Sequence, residues 1–291
     1  MSNPPFKEQV DLKKFTTLGI GGPARYFLQI SSIEEMQEAV RACSAHNIPF
    51  LVLGKGSNCL FDDRGFPGAV LLNKIDFLEQ PTPGLFRAGA GYSFALLGVQ
   101  TALQGWGGLE FASGIPASVG GAVWMNAGAN GQETCHSLEA VEFIHEDGEL
   151  QTYPKEQLAF AYRFSPFQKK KGAIVAALFR LKKDEHARKR QLEIVHRRKL
   201  TQPLADKSAG CVFLNPEGTH AGFLIDQCGL KGTTLGGAAV SRMHANFLIN
   251  ADHASCKEML ELIDLVKLRV KEKSGIELKS EIRCIPYEDP L

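Results

Sequence analysis

Glycine placement constrains this chain more than any other feature. The sequence holds 29 glycines, and in its first half they cluster: Gly19, Gly21 and Gly22; Gly54 and Gly56; Gly105, Gly107 and Gly108; then Gly114, Gly120, Gly121, Gly128 and Gly131. Glycine serves where backbone turns sharply or approaches something closely. Such clustering suggests backbone wrapped against a ligand, beyond turns that merely connect elements.

The rest of the composition sets limits. At 291 residues the chain has room for roughly two domains, each able to bury a core without staples. With 44% apolar and 22% charged residues it reads as a folded soluble protein. Thirty-three Lys and Arg against 32 Asp and Glu leave a charge of +1, which argues against a protein that coats nucleic acid or an anionic membrane. Seven scattered cysteines without a CxxC pair read as reduced thiols in a cytoplasmic protein, with no structural zinc site. The N-terminal MSNPPFKEQVDLKKF lacks an export signal's apolar core, and no apolar run approaches the ~20 residues of a membrane span.

Periodicity and breakers predict helices at 33–46, 94–103, 221–228 and 254–271, the last with Met259, Leu260, Ile263 and Val266 inward. They predict strands at 49–53, 69–72, 173–181, 238–240, 247–250 and 277–285. Segments 138–145 and 150–153 around Asp147-Gly148 read as a hairpin. The charged run from Lys182, helical to about Val195, reads as the connection between two domains, 1–190 and 191–291. The class is α+β in two lobes.

The common nucleotide signatures are missing: no GxGxxG between strand and helix and no GxxxxGK[ST]. HExxH, GxSxG and paired-cysteine metal spacings are also absent, so no metal site is expected. Two glycine-rich segments remain. In LGKGSNCLFDDRGFPG (53–68), backbone N–H groups near Gly54 and Gly56, with Ser57 and Asn58, would suit a diphosphate, although spacing alone favours a tight strand-to-loop turn. In ASGIPASVGGAVWMNAGANG (112–131), small residues admit a large flat ligand or simply let segments pack closely.

GIPASVGGAVWMNAGANGQE (114–133) resembles the flavin-binding loop of the UDP-N-acetylenolpyruvoylglucosamine reductase family. TTLGIGGPA (16–24), GKGSNCLFDDRG (54–65), AYRFSPF (161–167), SAGCVFLNP (208–216), LIDQCGLKG (224–232), VSRMHANFLIN (240–250) and ELKSEIR (277–283) follow in that family's order. The resemblance covers nearly the whole chain and is nearest the shorter subtype, which lacks an inserted tyrosine-bearing lid loop.

The resemblance implies an FAD-binding first domain of the p-cresol methylhydroxylase type and a smaller α+β substrate domain. It implies a reaction in which NADPH reduces FAD and a hydride then passes to the enolpyruvyl group of a UDP-sugar, giving UDP-N-acetylmuramate for peptidoglycan. FAD contacts would fall on Gly54, Gly56, Ser57, Asn58, Gly114, Ser118, Gly120, Gly121, Asn126 and Gly128. The flavin would be non-covalent, since neither glycine-rich loop has a tethering His; Cys135 and His136 just beyond read as structural.

Hydride addition to an enol ether conjugated to a carboxylate pushes charge onto that carboxylate, so donors must be preorganised there. Arg163, whose planar fork can hold a carboxylate in two bonds, matches that position; away from the motif it would read as a surface Arg. Glu281 matches a catalytic position beside the same carboxylate. It would help only while protonated, so burial should raise its pKa; the alternative is a strand residue paired with Arg283. At the proton-donor position, commonly serine in the family, this chain has Cys211. A thiol, ordinarily titrating at about pH 8.5, is a far stronger acid than an alcohol, which keeps the role and changes its pH behaviour. Tyr162, Lys199 and Asn215 match substrate-contacting positions.

A different flavin oxidase or dehydrogenase is opposed by the motifs around Cys211, Lys231 and Glu281. An RNA-binding module using 182–199, with eight basic and three acidic residues, lacks interleaved aromatics. Nothing fixes the oligomeric state, and a monomer is compatible with the sequence.

Overall fold

The computed structural model describes residues 6–288; of the N-terminal stretch read above for an export signal, residues 1–5 lie outside them. Two compact units emerge, and neither is continuous in sequence. The first is built on Tyr26–Lys55 and Gly68–Arg198; the second on Glu8–Arg25, Gly56–Pro67 and the chain from Lys199 onward.

The first unit carries a five-stranded antiparallel sheet, ordered Leu150–Pro154, Leu138–His145, Gly172–Arg180, Leu85–Gly89, Leu78–Thr82. A second sheet pairs Phe50–Leu53 in parallel with Phe66–Asn73, Phe50 opposite Ala69. Helix α1 (Ile33–Ala45) starts on a capping box, with Ser32 Oγ accepting from Glu35 N and the Glu35 carboxylate reaching back to Ser32 N. Its buried Met36, Ala39, Val40 and Cys43 pack against Ala69 and Leu71 of one sheet and Ile144, Ala173 and Val175 of the other. A second core joins α2 (Phe94–Leu103) and α3 (Val119–Trp124) to the five-stranded sheet around Phe86, Phe94, Phe111, Phe143, Phe167 and Phe179.

In the second unit a small antiparallel sheet runs Ser208–Cys211, Phe247–Asn250, Ala238–Val240, Thr234–Leu235. Helices α5 (Ala221–Gln227) and α6 (Cys256–Ser274), which follow α4 (Ala187–Thr201) in the chain, bury their apolar residues together with Leu18, Ile20 and Leu60. Buried Asn250 ties the N-terminal segment in: its Nδ2 donates to Leu18 O at 3.0 Å and its Oδ1 accepts from Ala254 N at 2.8 Å.

The differences from the sequence reading have local causes. The run from Lys182 opens as a strand, Lys182–Lys183, paired with Trp106–Gly107, and α4 then continues past Val195 to Thr201. The division read at 190/191 falls inside this helix. Leu260 is 38% exposed while Leu262 is fully buried, because at 100° per residue the inward face runs 259, 262, 263, 266, 270. Only Arg283–Ile285 of the predicted 277–285 strand is regular, pairing in parallel with Cys59–Phe61. Among the elements that went unpredicted are α3, hidden in glycines, the hairpin Leu78–Thr82/Leu85–Gly89, hidden by prolines, and the short strand Ser208–Cys211.

Asp63 holds the start of α6, both carboxylate oxygens accepting from Cys256 N at 2.9 Å. Its neighbour Asp62 pairs with the exposed Arg64. Asp63→Ala should cost about 1–2 kcal/mol in urea unfolding and Asp62→Ala about 0–1 kcal/mol; equal costs would remove the capping role.

Candidate functional site

The close approach that the loop glycines permit is, at most of the predicted positions, to the protein's own atoms. A Cβ on Gly54 would lie 2.2 Å from Ser118 Oγ, on Gly56 2.1 Å from Phe15 O, on Gly114 2.2 Å from Arg198 Cδ, on Gly120 2.9 Å from Ala90 Cβ and on Gly128 2.4 Å from Gln132 O. Gly121 differs: its Cβ would meet only Ser118 Oγ, at 3.3 Å. Ser118 itself is 3% exposed and caps α3 by accepting from Gly121 N. Close by in sequence, Ser113 Oγ is buried with no hydrogen-bond partner among the described residues. Beside the first loop, Lys55 Nζ donates to Ser93 Oγ at 2.7 Å. An open backbone surface at Gly121 and an orphaned hydroxyl at Ser113 suit a polar cofactor lying along this loop.

Arg163 sits in a left-handed conformation, φ +56°, in the tight turn closed by the Ala161–Phe164 bridge. Its Nη2 donates to Gly128 O at 3.0 Å, and its guanidinium lies 4.8 Å from the centre of the exposed Tyr162 ring. Fully buried Ser165 donates to Trp124 O at 2.7 Å, and Gln168 Nε2 donates to Trp124 O and Arg163 O. The carboxamide of Asn126, also fully buried, donates to Ala161 O and to Glu133 Oε2 at 2.9 Å and accepts from Cys135 N at 3.0 Å. Any contact from Asn126 to a cofactor would therefore run through its backbone. In this way the second glycine loop and the Tyr-Arg turn hold each other in register.

In the second unit Cys211 ends its strand opposite Phe247 and is half-buried. Glu281, half-buried, donates its N–H to Val212 O at 2.7 Å, so the two predicted catalytic residues lie on neighbouring extended segments. Asn58 Nδ2 donates to Glu281 O at 3.2 Å, a contact that the sequence did not reveal. Ser57 is half-buried beside it. The Oδ1 of Asn215 accepts from Ala221 N at 3.1 Å, at the start of α5. Lys199 lies exposed in the last turn of α4. Within the first unit the basic run is partly neutralised, with Arg190 paired to Glu110 and Asp184.

Glu133, Cys135 and His136 bring ligand-type atoms within 4.8 Å of one another, but each has local work. The Glu133 carboxylate accepts from Asn126, and His136 Nδ1 accepts from Glu133 N. The cysteines form no disulfide among the described residues. Burial pushes the Cys43 and Cys59 thiols up to about 11 and Cys256 up to about 12, and it raises that of Cys284 as well. No helix among the described residues is long and apolar enough to cross a membrane.

A family profile described as FAD binding domain matches residues 24–153, and one described as UDP-N-acetylenolpyruvoylglucosamine reductase, C-terminal domain, matches residues 202–285. A UDP-N-acetylenolpyruvoylglucosamine reductase of Protochlamydia amoebophila is 57% identical over 277 residues, covering 95% of this chain and 93% of its own. One from Chlamydia trachomatis serovar D is 48% identical, covering 97% and 96%. The crystal structure of the Thermus caldophilus UDP-N-acetylenolpyruvylglucosamine reductase superposes with a TM-score of 0.82 at 40% identity, covering 97% of this chain and 100% of that one.

The glycines give opposite expectations for two alanine variants. At Gly121, inside α3, a Cβ would meet only the Ser118 hydroxyl, at 3.3 Å, and Ala is favoured in a helix by up to about 1 kcal/mol, so Gly121→Ala should unfold little earlier if at all yet carry less flavin. At Gly56, with φ +61° and Phe15 O in the way, Ala should cost about 1–3 kcal/mol. Urea unfolding, with flavin absorbance per protein after gel filtration, checks both; full flavin in a stable Gly121→Ala removes that loop's cofactor role.

Proposed function

Because the chain belongs to the UDP-N-acetylenolpyruvoylglucosamine reductase family, we propose that it reduces UDP-N-acetylglucosamine enolpyruvate to UDP-N-acetylmuramate for peptidoglycan synthesis. It works with non-covalent FAD and takes electrons from NADPH. The observation that carries this reading is the 57% identity sustained over 95% of the chain, supported by the FAD-domain match over residues 24–153. The setting is the cytoplasm, with a UDP-sugar as partner and no nucleic acid or membrane.

FAD would lie along the glycine loops, on backbone at Gly54, Gly56, Ser57, Asn58, Gly114, Gly120, Gly121, Asn126 and Gly128 and at Ser118. The chemistry it supplies when bound is hydride transfer, received from NADPH and delivered to the enolpyruvyl β-carbon. Arg163 binds the substrate carboxylate and holds it as charge develops there; its guanidinium is already oriented by Gly128 O and the Tyr162 ring. Preorganisation of this kind requires no rearrangement when the charge arrives. Glu281, as the neutral acid, donates a hydrogen bond to the same carboxylate. Cys211 Sγ–H gives its proton to the α-carbon, completing addition of H⁻ and H⁺ across the double bond, and the thiolate is reprotonated from solvent. Lys199 and Asn215 contact the diphosphate side of the substrate, and Tyr162 packs over it.

The half-reactions separate these roles. Arg163→Ala should bind FAD and be reduced by NADPH as the native enzyme is, while substrate-dependent reoxidation slows by about 10²–10³-fold; loss of FAD instead would reassign Arg163. Cys211→Ser should remain active, with the alkaline limb of the pH profile moved upward or abolished. A retained limb would show that another group titrates.

Alkylation at pH 8 should mark Cys211 more readily than Cys43, Cys59, Cys256 and Cys284, because their raised pKa values keep these thiols protonated. Peptide mass mapping with and without substrate reads this out. Substrate should protect Cys211; no protection at Cys211 contradicts the assignment.

A further inference from the structure

The segment that carries Cys211 is not held by an ordinary strand ladder. Pairing of Ser208–Cys211 with Phe247–Asn250 stops at Cys211 opposite Phe247 and includes an irregularity between Ser208 and Cys211. Past that point the partner strand has run out, yet Val212 and Phe213 are almost fully buried, so their backbone polar groups need partners. Asn246, 2% exposed, supplies three of them. Its carbonyl accepts from Val212 N at 2.9 Å, its Oδ1 accepts from Phe213 N at 2.9 Å, and its Nδ2 donates to Phe213 O at 2.9 Å. The backbone carbonyl of Asn246 thus extends the pairing to Val212, and its carboxamide stands in for the strand at Phe213.

The same segment then carries Glu281. Val212 O accepts from Glu281 N, and Leu214 N donates to Lys279 O at 2.9 Å. On the far side Asn58 completes the bracket: its Nδ2 donates to Glu281 O, and its own carbonyl accepts from Arg283 N at 3.0 Å. Cys211 and Glu281 are therefore neighbours on two short segments, clamped by Asn246 on one edge and Asn58 on the other.

We propose that Asn246 and Asn58 are positioning residues, which set the Cys211 thiol and the Glu281 carboxyl relative to each other for protonation of the substrate α-carbon. This rests on the reading of Cys211 as proton donor. Small displacements of such groups are expensive, because an error of about 1 Å can cost about a hundredfold in rate. It also gives Asn58 a task in the GKGSN segment beyond any backbone contact to a cofactor.

The test uses FAD-loaded enzyme and follows the two half-reactions separately under anaerobic conditions. Asn246→Ala should be reduced by NADPH at the native rate and then be reoxidised by the enolpyruvyl substrate about ten- to a hundredfold more slowly. The alkylation rate of Cys211 should change in the same variant without substrate. A loss of fold would lower both half-reactions and flavin content together, so Asn58→Ala, at a half-buried position, gives the second arm. It should show the same split, with FAD retained.

Native reoxidation in a folded Asn246→Ala overturns the proposal. So does an Asn58→Ala that sheds FAD while its remaining holoenzyme reoxidises normally. Cys211→Ala is the control for the underlying reading. If it reoxidises at the native rate, the donor assignment fails and the proposal with it. If it is slow while both asparagine variants are native, only the positioning roles fail.

Discussion

In the second unit a single residue, Asn246, fixes the course of the chain beyond Cys211. Where the Phe247–Asn250 strand begins, the neighbouring chain still has buried N–H and C=O groups to satisfy. Leaving each unpaired would cost about 1–3 kcal/mol. The side chain that removes this cost also fixes where Val212 and Phe213 run. Val212 in turn fixes Glu281. The backbone accounting and the placement of the proposed acids are one constraint.

The first unit repeats the device with different residues. Asn126 is fully buried, adopts a left-handed φ of +43°, and joins the glycine loop to Ala161, Glu133 and Cys135. Ala161 lies one residue before Tyr162 and two before Arg163, so the carboxamide that orders the loop also orders the arginine. In both units an asparagine with its donor and acceptor engaged by protein holds an irregular segment beside a proposed functional side chain. This suits groups that must be preorganised yet cannot sit in the middle of a regular strand or helix.

Much of this was legible in sequence. Helix Phe94–Leu103 and the hairpin around Asp147-Gly148 appear where the apolar pattern and turn residues placed them. The α+β class followed from periodicity, and the FAD-binding first part and the family from motif order. The remainder was invisible for physical reasons. Helix α3 is rich in glycine, whose low propensity masks a helix made by its Ser118 cap and its packing. The glycines at 54, 56, 114, 120 and 128 were explained by approach to a ligand, whereas the structure puts protein atoms against them. The second unit recruits Glu8–Arg25 and Gly56–Pro67 from far away in sequence. Asn58 and Glu281 are 223 positions apart, and Phe213 and Asn246 are 33 apart. No spacing rule reaches that far.

Amide hydrogen exchange resolved to single residues tests the central claim, that a side-chain amide substitutes for a strand beyond Cys211. If it does, the N–H of Phe213, which donates to the Asn246 carboxamide, should exchange as slowly as that of Leu248 in the regular sheet, since opening it requires releasing that side chain. Exchange of the Phe213 amide as fast as that of exposed loop residues, with Leu248 still protected, would contradict it.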